Sequence, residues 1–264
     1  MKVLITGATG SLGRHLVPAI RAPGHAVRIV SRGPRAASVP VEIEWAQADI
    51  ISGDGLGAAV NGVDAIVHAA SNSQHSAAVD VGGTTQLVQA ARAASIAHLL
   101  YISIVGIDDI PFGYYIHKRE AEHIIAASGV PYSILRATQF HSLLDRFLSG
   151  IAARMPLVLP VPTSFKFQTV AESEVAKRLT TCLADGPRGR VPDFGGPEVL
   201  TYGAMARTWM DVKGMRRLVI PLPLPGAVAA GFRAGKNTVR DGPHGRIRWR
   251  EWLTAQKGFR DVSL

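Results

Sequence analysis

Residues 1–13 read MKVLITGATGSLG, and no other stretch of the chain limits its possible folds so tightly. Lys2–Thr6 is an apolar, β-branched run without polar alternation, the pattern of a strand buried on both faces. Gly7, Gly10 and Gly13 punctuate the turn after it, and Leu12, Leu16, Val17 and Ile20 recur at helical spacing. A strand, a glycine turn and a helix in that order suit a pyrophosphate. One glycine allows the sharp turn, one lets the backbone approach the phosphates, and one lets the helix pack on the strand. The phosphates then meet free N–H groups at the positive end of the helix. The turn therefore predicts a dinucleotide site built from Gly7, Thr9, Gly10, Ser11, Leu12 and Gly13.

The first half of the chain repeats this rhythm. Strand patterns fall at Lys2–Thr6, Ala26–Ser31, Val41–Gln47, Ala65–His68, Leu99–Ser103 and Tyr132–Arg136. Helical patterns fall between them at Leu12–Arg21, Gly55–Asn61, Gln74–Ala94 and Tyr114–Ser128. Short apolar strands alternating with helices imply an α/β fold, a Rossmann-type doubly wound parallel sheet with right-handed crossovers. Ligands of such sheets bind at the carboxyl ends of the strands.

After residue 137 the rhythm changes. Gln139–Arg154 reads as a helix, followed by the proline-marked MPLVLPVPTSFKFQTV, a helix at Glu172–Ala184 and a short strand at Val191–Phe194. Thr201 can cap a helix running to Gly214, and Leu218–Ile220 reads as a strand. Pro221, Pro223 and Pro225 stiffen a connection to Gly226–Ala234, and a last helix spans Arg248–Gln256. These pieces look too short for a core of their own. The expected division is a dinucleotide-binding core over 1–137 and a small C-terminal α/β cap over 138–264, interleaved in one compact unit on the substrate side.

Composition narrows the class. The chain has 264 residues, 47% hydrophobic and 19% charged, which fits a globular protein rather than a disordered one. No apolar run reaches the ~18 residues of a membrane span, and no secretory leader precedes the first strand. A single cysteine, Cys182, excludes an internal disulfide and fits the cytoplasm; its place in a helical apolar stripe reads as a buried, inert thiol. The nine histidines show no metal-ligand spacing, so no metal is expected. The net charge of +9 suits a phosphate-bearing ligand; nucleic acid is not favoured, because the basic residues are scattered and no nucleic-acid motif accompanies them. The expected partner is a small molecule, with no membrane, and the protein is read as a monomer or homodimer.

Ser31 and Arg32 close the second strand, with Arg35 shortly after and no acid before Glu42. An NAD site places a carboxylate here for the ribose, whereas a guanidinium holds a 2′-phosphate through paired charge-assisted bonds. The cofactor expected is therefore NADP(H) in preference to NAD(H).

TGATGSLG matches the TGxxGxxG turn of extended and atypical members of the short-chain dehydrogenase/reductase superfamily, not the TGxxxGxG of its other branch. With DVGGTTQLVQAARAASIAHLLYIS, GYYIHKREAEHIIAASGVPYSILRATQFH and FGGPEVLT, essentially the whole chain resembles the atypical branch, close to the NmrA-like NAD(P)-binding proteins. The resemblance implies that Asp49 accepts from the adenine amino group while Ile50 packs on its ring. It implies that Ala69, Ala70 and Ser71, after His68, let the ribose and nicotinamide pass near the backbone. Asp80 stands where extended relatives have a structural asparagine. Ala137 and Thr138 would contact the nicotinamide, and Gln139, Phe140 and His141 would open the substrate pocket.

The same resemblance implies a catalytic trio of Ser103, Tyr114 and Lys118. The tyrosine exchanges a proton with the carbonyl oxygen, the lysine lowers its pKa and holds the ribose, and the serine orients the carbonyl. Tyr114 and Lys118 are four apart and share a helix face, although Tyr115 competes with Tyr114. His68 reads as a core or strand-end histidine, and His141 either reaches substrate or caps a surface. Phe165, Phe167 and Trp209 line a pocket or fill a core, Trp249 and Trp252 pin the last helix, and Asp145 and Arg146 read as solvated. The implied activity is hydride transfer between NADP(H) and a small apolar carbonyl, quinone or similar acceptor. The alternative is a non-catalytic NADP-binding sensor of the NmrA type.

Overall fold

The computed structural model describes residues 1–35, 37 and 39–261. The elements of the first part are β1 (Lys2–Thr6), α1 (Gly13–Arg21), β2 (Ala26–Ser31), β3 (Glu44–Gln47), α2 (Leu56–Val60), β4 (Ala65–His68), α3 (Gly83–Ala93), β5 (His98–Ile104), α4 (Gly113–Ala127) and β6 (Tyr132–Ala137). There follow α5 (His141–Arg154), β7 (Val158–Val161), β8 (Lys166–Phe167), α6 (Glu172–Ala184), β9 (Gly189–Arg190), β10 (Leu200–Thr201), α7 (Tyr202–Lys213), β11 (Leu218–Pro221), α8 (Ala227–Ala234) and α9 (Trp249–Asp261).

The chain divides into two compact units. The first comprises Met1–Ile104, Phe112–Arg136 and Ser173–Pro192. Its sheet has seven strands in the order β3-β2-β1-β4-β5-β6-β9. Strand β1 pairs in parallel with β2 on one side and β4 on the other, so the chain reverses its direction of travel across the sheet at β1. That switch point is where doubly wound sheets bind their ligands. Leu4, Ile66, Leu87, Leu99, Tyr101, Ala121 and Ile125 pack one face of the sheet against helices.

The second unit comprises Val105–Pro111, Ala137–Glu172 and the chain from Asp193 onward. It builds a core of its own from Leu144, Leu148, Phe165, Met205, Trp209 and Trp249, so the expectation of a coreless cap does not hold. Helices α5, α7 and α9 each supply an apolar stripe, and together they bury what none could bury alone.

Several boundaries differ from the sequence reading. Strand β3 begins at Glu44, because Pro40–Ile43 closes a turn and leaves Val41 exposed. The helix expected over Gln74–Ala94 opens as a π-helical turn at Ala77–Gly82 before α3. Val191–Phe194 is not a strand: β9 pairs with β6 two residues earlier, and Phe194 makes a single bridge to Ala137. Helix α5 starts at His141, because Phe140 is extended and bridges Val170.

Candidate functional site

Gly7 leaves β1 with φ +70, a conformation that suits glycine, and a Cβ there would stand 2.5 Å from the carbonyl oxygen of Ala69. Gly13 opens α1, and a Cβ there would lie 2.3 Å from the carbonyl oxygen of Gly7. The turn is thus pressed against the chain after β4 at Gly7 and against itself at Gly13, with no room for a side chain at either position. Leu12 caps α1 without a side-chain bond, and the N–H groups of Ser11 and Leu12 have no acceptor among the described residues. Thr9 and Gly10 are exposed. Free amides at a helix N-terminus beside a side-chain-free cradle fit a pyrophosphate.

Ser31 ends β2, its carbonyl accepting from the amide of Ala48 at 3.0 Å. The Arg32 carbonyl accepts from Gln47 Nε2 at 3.1 Å, and its guanidinium is exposed with no partner among the described residues. Arg35 instead donates to the carbonyls of Val39 and Pro40. The Arg32 guanidinium thus stands unpaired at the end of β2 among the described residues. Asp49 Oδ1 accepts from the Ile51 amide at 2.8 Å, which holds the loop after β3. Ile50 packs over Gly83, where a Cβ would meet its Cδ1 at 3.0 Å.

The ends of β1 and β4 are joined through Thr6. Its hydroxyl oxygen accepts from the amides of Ala69 and Ala70, both at 3.2 Å, and lies 2.7 Å from His68 Nδ1. Burial, and secondarily the Lys118 charge, push the His68 pKa down to about 3, so the ring is neutral. The bonding then orders itself: Thr6 donates to Nδ1, and Nε2–H donates to Thr84 Oγ1 at 3.0 Å. The Thr84 hydroxyl donates onward to the Asp80 carbonyl. His68 is a core histidine that fixes the Ala69-Ala70 backbone. Thr6 and Thr84 were not singled out from sequence, since a strand-end threonine carries no local signal.

The densest polar cluster surrounds α4. Lys118 is buried; its Nζ donates to the Ile102 carbonyl at 2.9 Å, lies 3.5 Å from Asp80 Oδ1, and sits 4.2 Å over the Tyr101 ring. Burial lowers its pKa, and Asp80 opposes that shift. Asp80 is fully buried, and its Oδ1 accepts from Ser71 Oγ at 2.7 Å. Ser71 Oγ is also 2.7 Å from the phenol oxygen of Tyr114. The serine has one proton and gives it to the carboxylate, so Tyr114 is the donor in its contact with Ser71. A directed chain results, from phenol to serine to Asp80, and the Lys118 ammonium converges on the same carboxylate.

The resemblance implied a phenol with a lowered pKa. Burial, and then the charge of Asp80, instead push Tyr114 up to about 12, against the smaller opposing effect of the Ser71 bond. Lys118 is spent on Asp80, Tyr101 and a carbonyl. Tyr115 is buried, edge-on to Phe112 at 5.6 Å, so Tyr114 is the ring whose hydroxyl joins the cluster. Ser103 is buried and its hydroxyl has no hydrogen-bond partner among the described residues; the same holds for the Tyr101 hydroxyl two residues before it on β5. Orphaned buried hydroxyls are rare and cost stability unless a ligand meets them.

The remaining residues singled out lie in the second unit. Ala137 and Thr138 are buried, and Thr138 Oγ1 accepts from the Gly196 amide at 3.2 Å. Gln139 Oε1 accepts from Asn237 Nδ2 at 3.1 Å, while Phe140 is half-buried. His141 is fully buried, its Nδ1 2.8 Å from Thr169 Oγ1 and its Nε2 3.1 Å from the Ile247 carbonyl, with Trp249 and Trp252 against its ring. Burial pushes its pKa down to about 4. Both nitrogens are thus spent inside this unit. Asp145 is not solvated: it accepts from Trp209 Nε1 at 2.7 Å and pairs with Lys213. Phe165, Phe167 and Trp209 are core. A cavity of about 530 Å³ lies within this unit, its polar lining including Lys166, Gln168, Glu198, Thr238, Arg240 and His244. Among the described residues no cluster of His, Cys, Asp or Glu could hold a metal, and no helix is long and apolar enough to cross a membrane.

Residues 7–185 match the NAD(P)H-binding family, and the chain belongs to it. Its named relatives are reductases and dehydrogenases. A ceramide reductase from Caulobacter vibrioides is 29% identical over 253 residues, covering 87% of this chain and 76% of that protein. A 3β-hydroxysteroid dehydrogenase/Δ5→4-isomerase of Mycobacterium tuberculosis is 35% identical over 115 residues, 39% of this chain and 31% of its own length. Among solved structures, an NADPH-dependent quinone oxidoreductase from Escherichia coli, complexed with NADPH, superposes with TM-score 0.81 at 20% identity, covering 97% of this chain and 99% of that one. A Citrobacter triphenylmethane reductase complexed with NADP(H) gives 0.77 at 17% identity, with the same coverage. At these identities the structural likeness is one of fold.

Proposed function

We propose that the protein is an NADP(H)-dependent reductase that passes hydride to a small apolar carbonyl, quinone or similar acceptor, with Tyr114 as proton donor. The observation that carries this reading is the chain from the Tyr114 phenol through Ser71 to the buried Asp80–Lys118 pair. NADPH, when bound, supplies the hydride. The residues fit it: the turn from Gly7 to Gly13 offers amides for the pyrophosphate, Arg32 a guanidinium for a 2′-phosphate, and Asp49 with Ile50 a place for the adenine. Ala69, Ala70 and Ser71, just after β4, would leave room for the ribose, and Lys118 would act on it only through Asp80 and Ser71.

A phenol with its pKa near 12 keeps its proton at any physiological pH. Turned from Ser71 to an acceptor oxygen, it completes the reduction: hydride to carbon, proton to oxygen. The unpartnered Ser103 hydroxyl is free to orient that oxygen. Ceramide, a hydroxysteroid and a quinone, the molecules in the relatives' names, are apolar, which supports an apolar acceptor.

The test is a titration of purified protein with NADPH and NADH by nicotinamide fluorescence, followed by NADPH oxidation with quinones and aldehydes. NADPH binding in preference to NADH, with turnover that Tyr114→Phe abolishes, supports the proposal. NADPH binding with no turnover on any acceptor points to the sensor alternative. Equal or absent binding of the two cofactors overturns the Arg32 assignment.

A further inference from the structure

Strand β11 pairs in parallel with β7, Leu218 opposite Val158 and Ile220 opposite Pro160, as a two-stranded sheet in the second unit. Alternate side chains turn to opposite faces. Leu159 and Val161 are fully buried and Val219 packs with them in the core. The other face points outward, and there an ordinary half-buried strand carries polar residues. Here it carries Leu218 and Ile220, both exposed, and the irregular segment after β11 adds the exposed Leu222 and Leu224. Leu157, just before β7, has its carbonyl accept from the Leu218 amide and is 79% exposed at the end of the sheet, and Leu218 is 65% exposed. Single exposed leucines are ordinary, but a contiguous row is not.

The charge around the row is predominantly positive, with Asp145 and Asp211 at its borders paired to Lys213 and Arg250. Residues 146–160 and 212–235 contain Arg146, Arg154, Lys213, Arg216, Arg217 and Arg233 and no carboxylate. Only Lys213 has an acidic partner, Asp145. Arg217 donates to the carbonyls of Ala152 and Met155, and Arg233 to that of Leu224. These bonds bind the cations to the sheet and its flanks without neutralising them.

We infer that the outer face of the β7–β11 sheet docks the protein onto an anionic lipid surface, the leucine row entering the interface while the flanking arginines meet lipid phosphates. Apolar side chains rimmed by unneutralised cations are the combination that peripheral membrane binding requires. A second copy fits less well. Pro221, and Pro223 and Pro225 just beyond it, remove the N–H groups that strand addition along the β11 edge would use. Face-to-face pairing would set like charges against each other. The sequence reading expected no membrane partner because no segment spans one; a surface strip of short strand escapes that criterion.

The test is co-sedimentation of the full chain with phosphatidylcholine vesicles and with vesicles of equal phosphatidylcholine and phosphatidylglycerol. Binding to the anionic vesicles should exceed that to phosphatidylcholine by about tenfold or more, and weaken at high salt. Arg154→Glu with Arg216→Glu should abolish the anionic preference. Leu157→Ser, Leu218→Ser and Leu222→Ser together should abolish binding to both. NADPH affinity and thermal midpoint should stay as in the wild type, since all five residues are exposed. Absence of an anionic preference overturns the inference, as does equal retention of the variants. A dimer by light scattering that the triple leucine variant dissolves overturns it in favour of a second copy.

Discussion

The phenol of Tyr114 donates its proton to Ser71 Oγ across 2.7 Å, although the two residues are 43 apart in the chain. Ser71 in turn donates to the Asp80 carboxylate, so the phenol's partner is a serine hydroxyl held by a buried anion. Tyr114 is in this way held as a neutral acid.

Replacing Tyr114 by Phe should lower kcat by about 10²–10⁴-fold, the usual worth of a positioned general acid, and leave the NADPH Kd unchanged. With the phenol pKa near 12, tyrosine ionisation should leave kcat of the wild type flat from pH 7 to 10. A basic limb with a midpoint near 10 that disappears in Tyr114→Phe would overturn the assignment.

Arg32→Ala should weaken NADPH by about 10–100-fold, the equivalent of the ~1.5–3 kcal/mol of a charge-assisted bond. NADH affinity should not move. Arg35→Ala should change little for either cofactor, because its guanidinium is turned back onto Val39 and Pro40. Paired fluorescence titrations decide the matter.

Stability should fall as the pH drops below neutrality. His68 and His141 have folded pKa values of about 3 and about 4, while in the unfolded chain each binds a proton near 6.5. Between those limits the unfolded state holds more protons, so their contribution is complete above pH 6.5 and is lost on acidification. At pH 5 each should cost about 2 kcal/mol relative to pH 8. Denaturant titrations at the two pH values measure it, and a His68→Asn variant should show a flatter dependence.

Arg136 donates from Nε and Nη2 to the two carboxylate oxygens of Glu122, at 2.8 and 2.6 Å, and both residues are buried. Glu122→Ala removes the carboxylate that pairs with the buried guanidinium and should cost about 3–5 kcal/mol, read as a lowered denaturant midpoint with unchanged m-value.

What could be read locally was read well. The glycine turn, the Rossmann-type sheet and the ends of β1, β2, β4 and α1 follow from strand periodicity and from contacts within a dozen residues. The candidacy of Tyr114 and Lys118 came from the family resemblance, and helical spacing added only that the two share a face. Strand β3 was read too long because its first residues belong to a proline turn whose effect on pairing depends on β2. The pieces after residue 137 looked coreless because no one of them carries enough apolar surface. Trp209 and Trp249 bury each other's neighbourhood only once α7 and α9 meet.

The sequence by itself determined the class of fold, the glycine-rich turn after β1 and the cation that follows β2, because backbone sterics and side-chain period act over a few residues. The tertiary structure alone decided that Ser71 meets Tyr114, that Asp80 takes up the Lys118 charge, that His68 and His141 are locked neutral, and that a row of leucines faces outward. Each of these depends on which strands lie side by side and which face of an element the core claims. Pairing between residues tens of positions apart leaves no periodic trace in the chain that makes it.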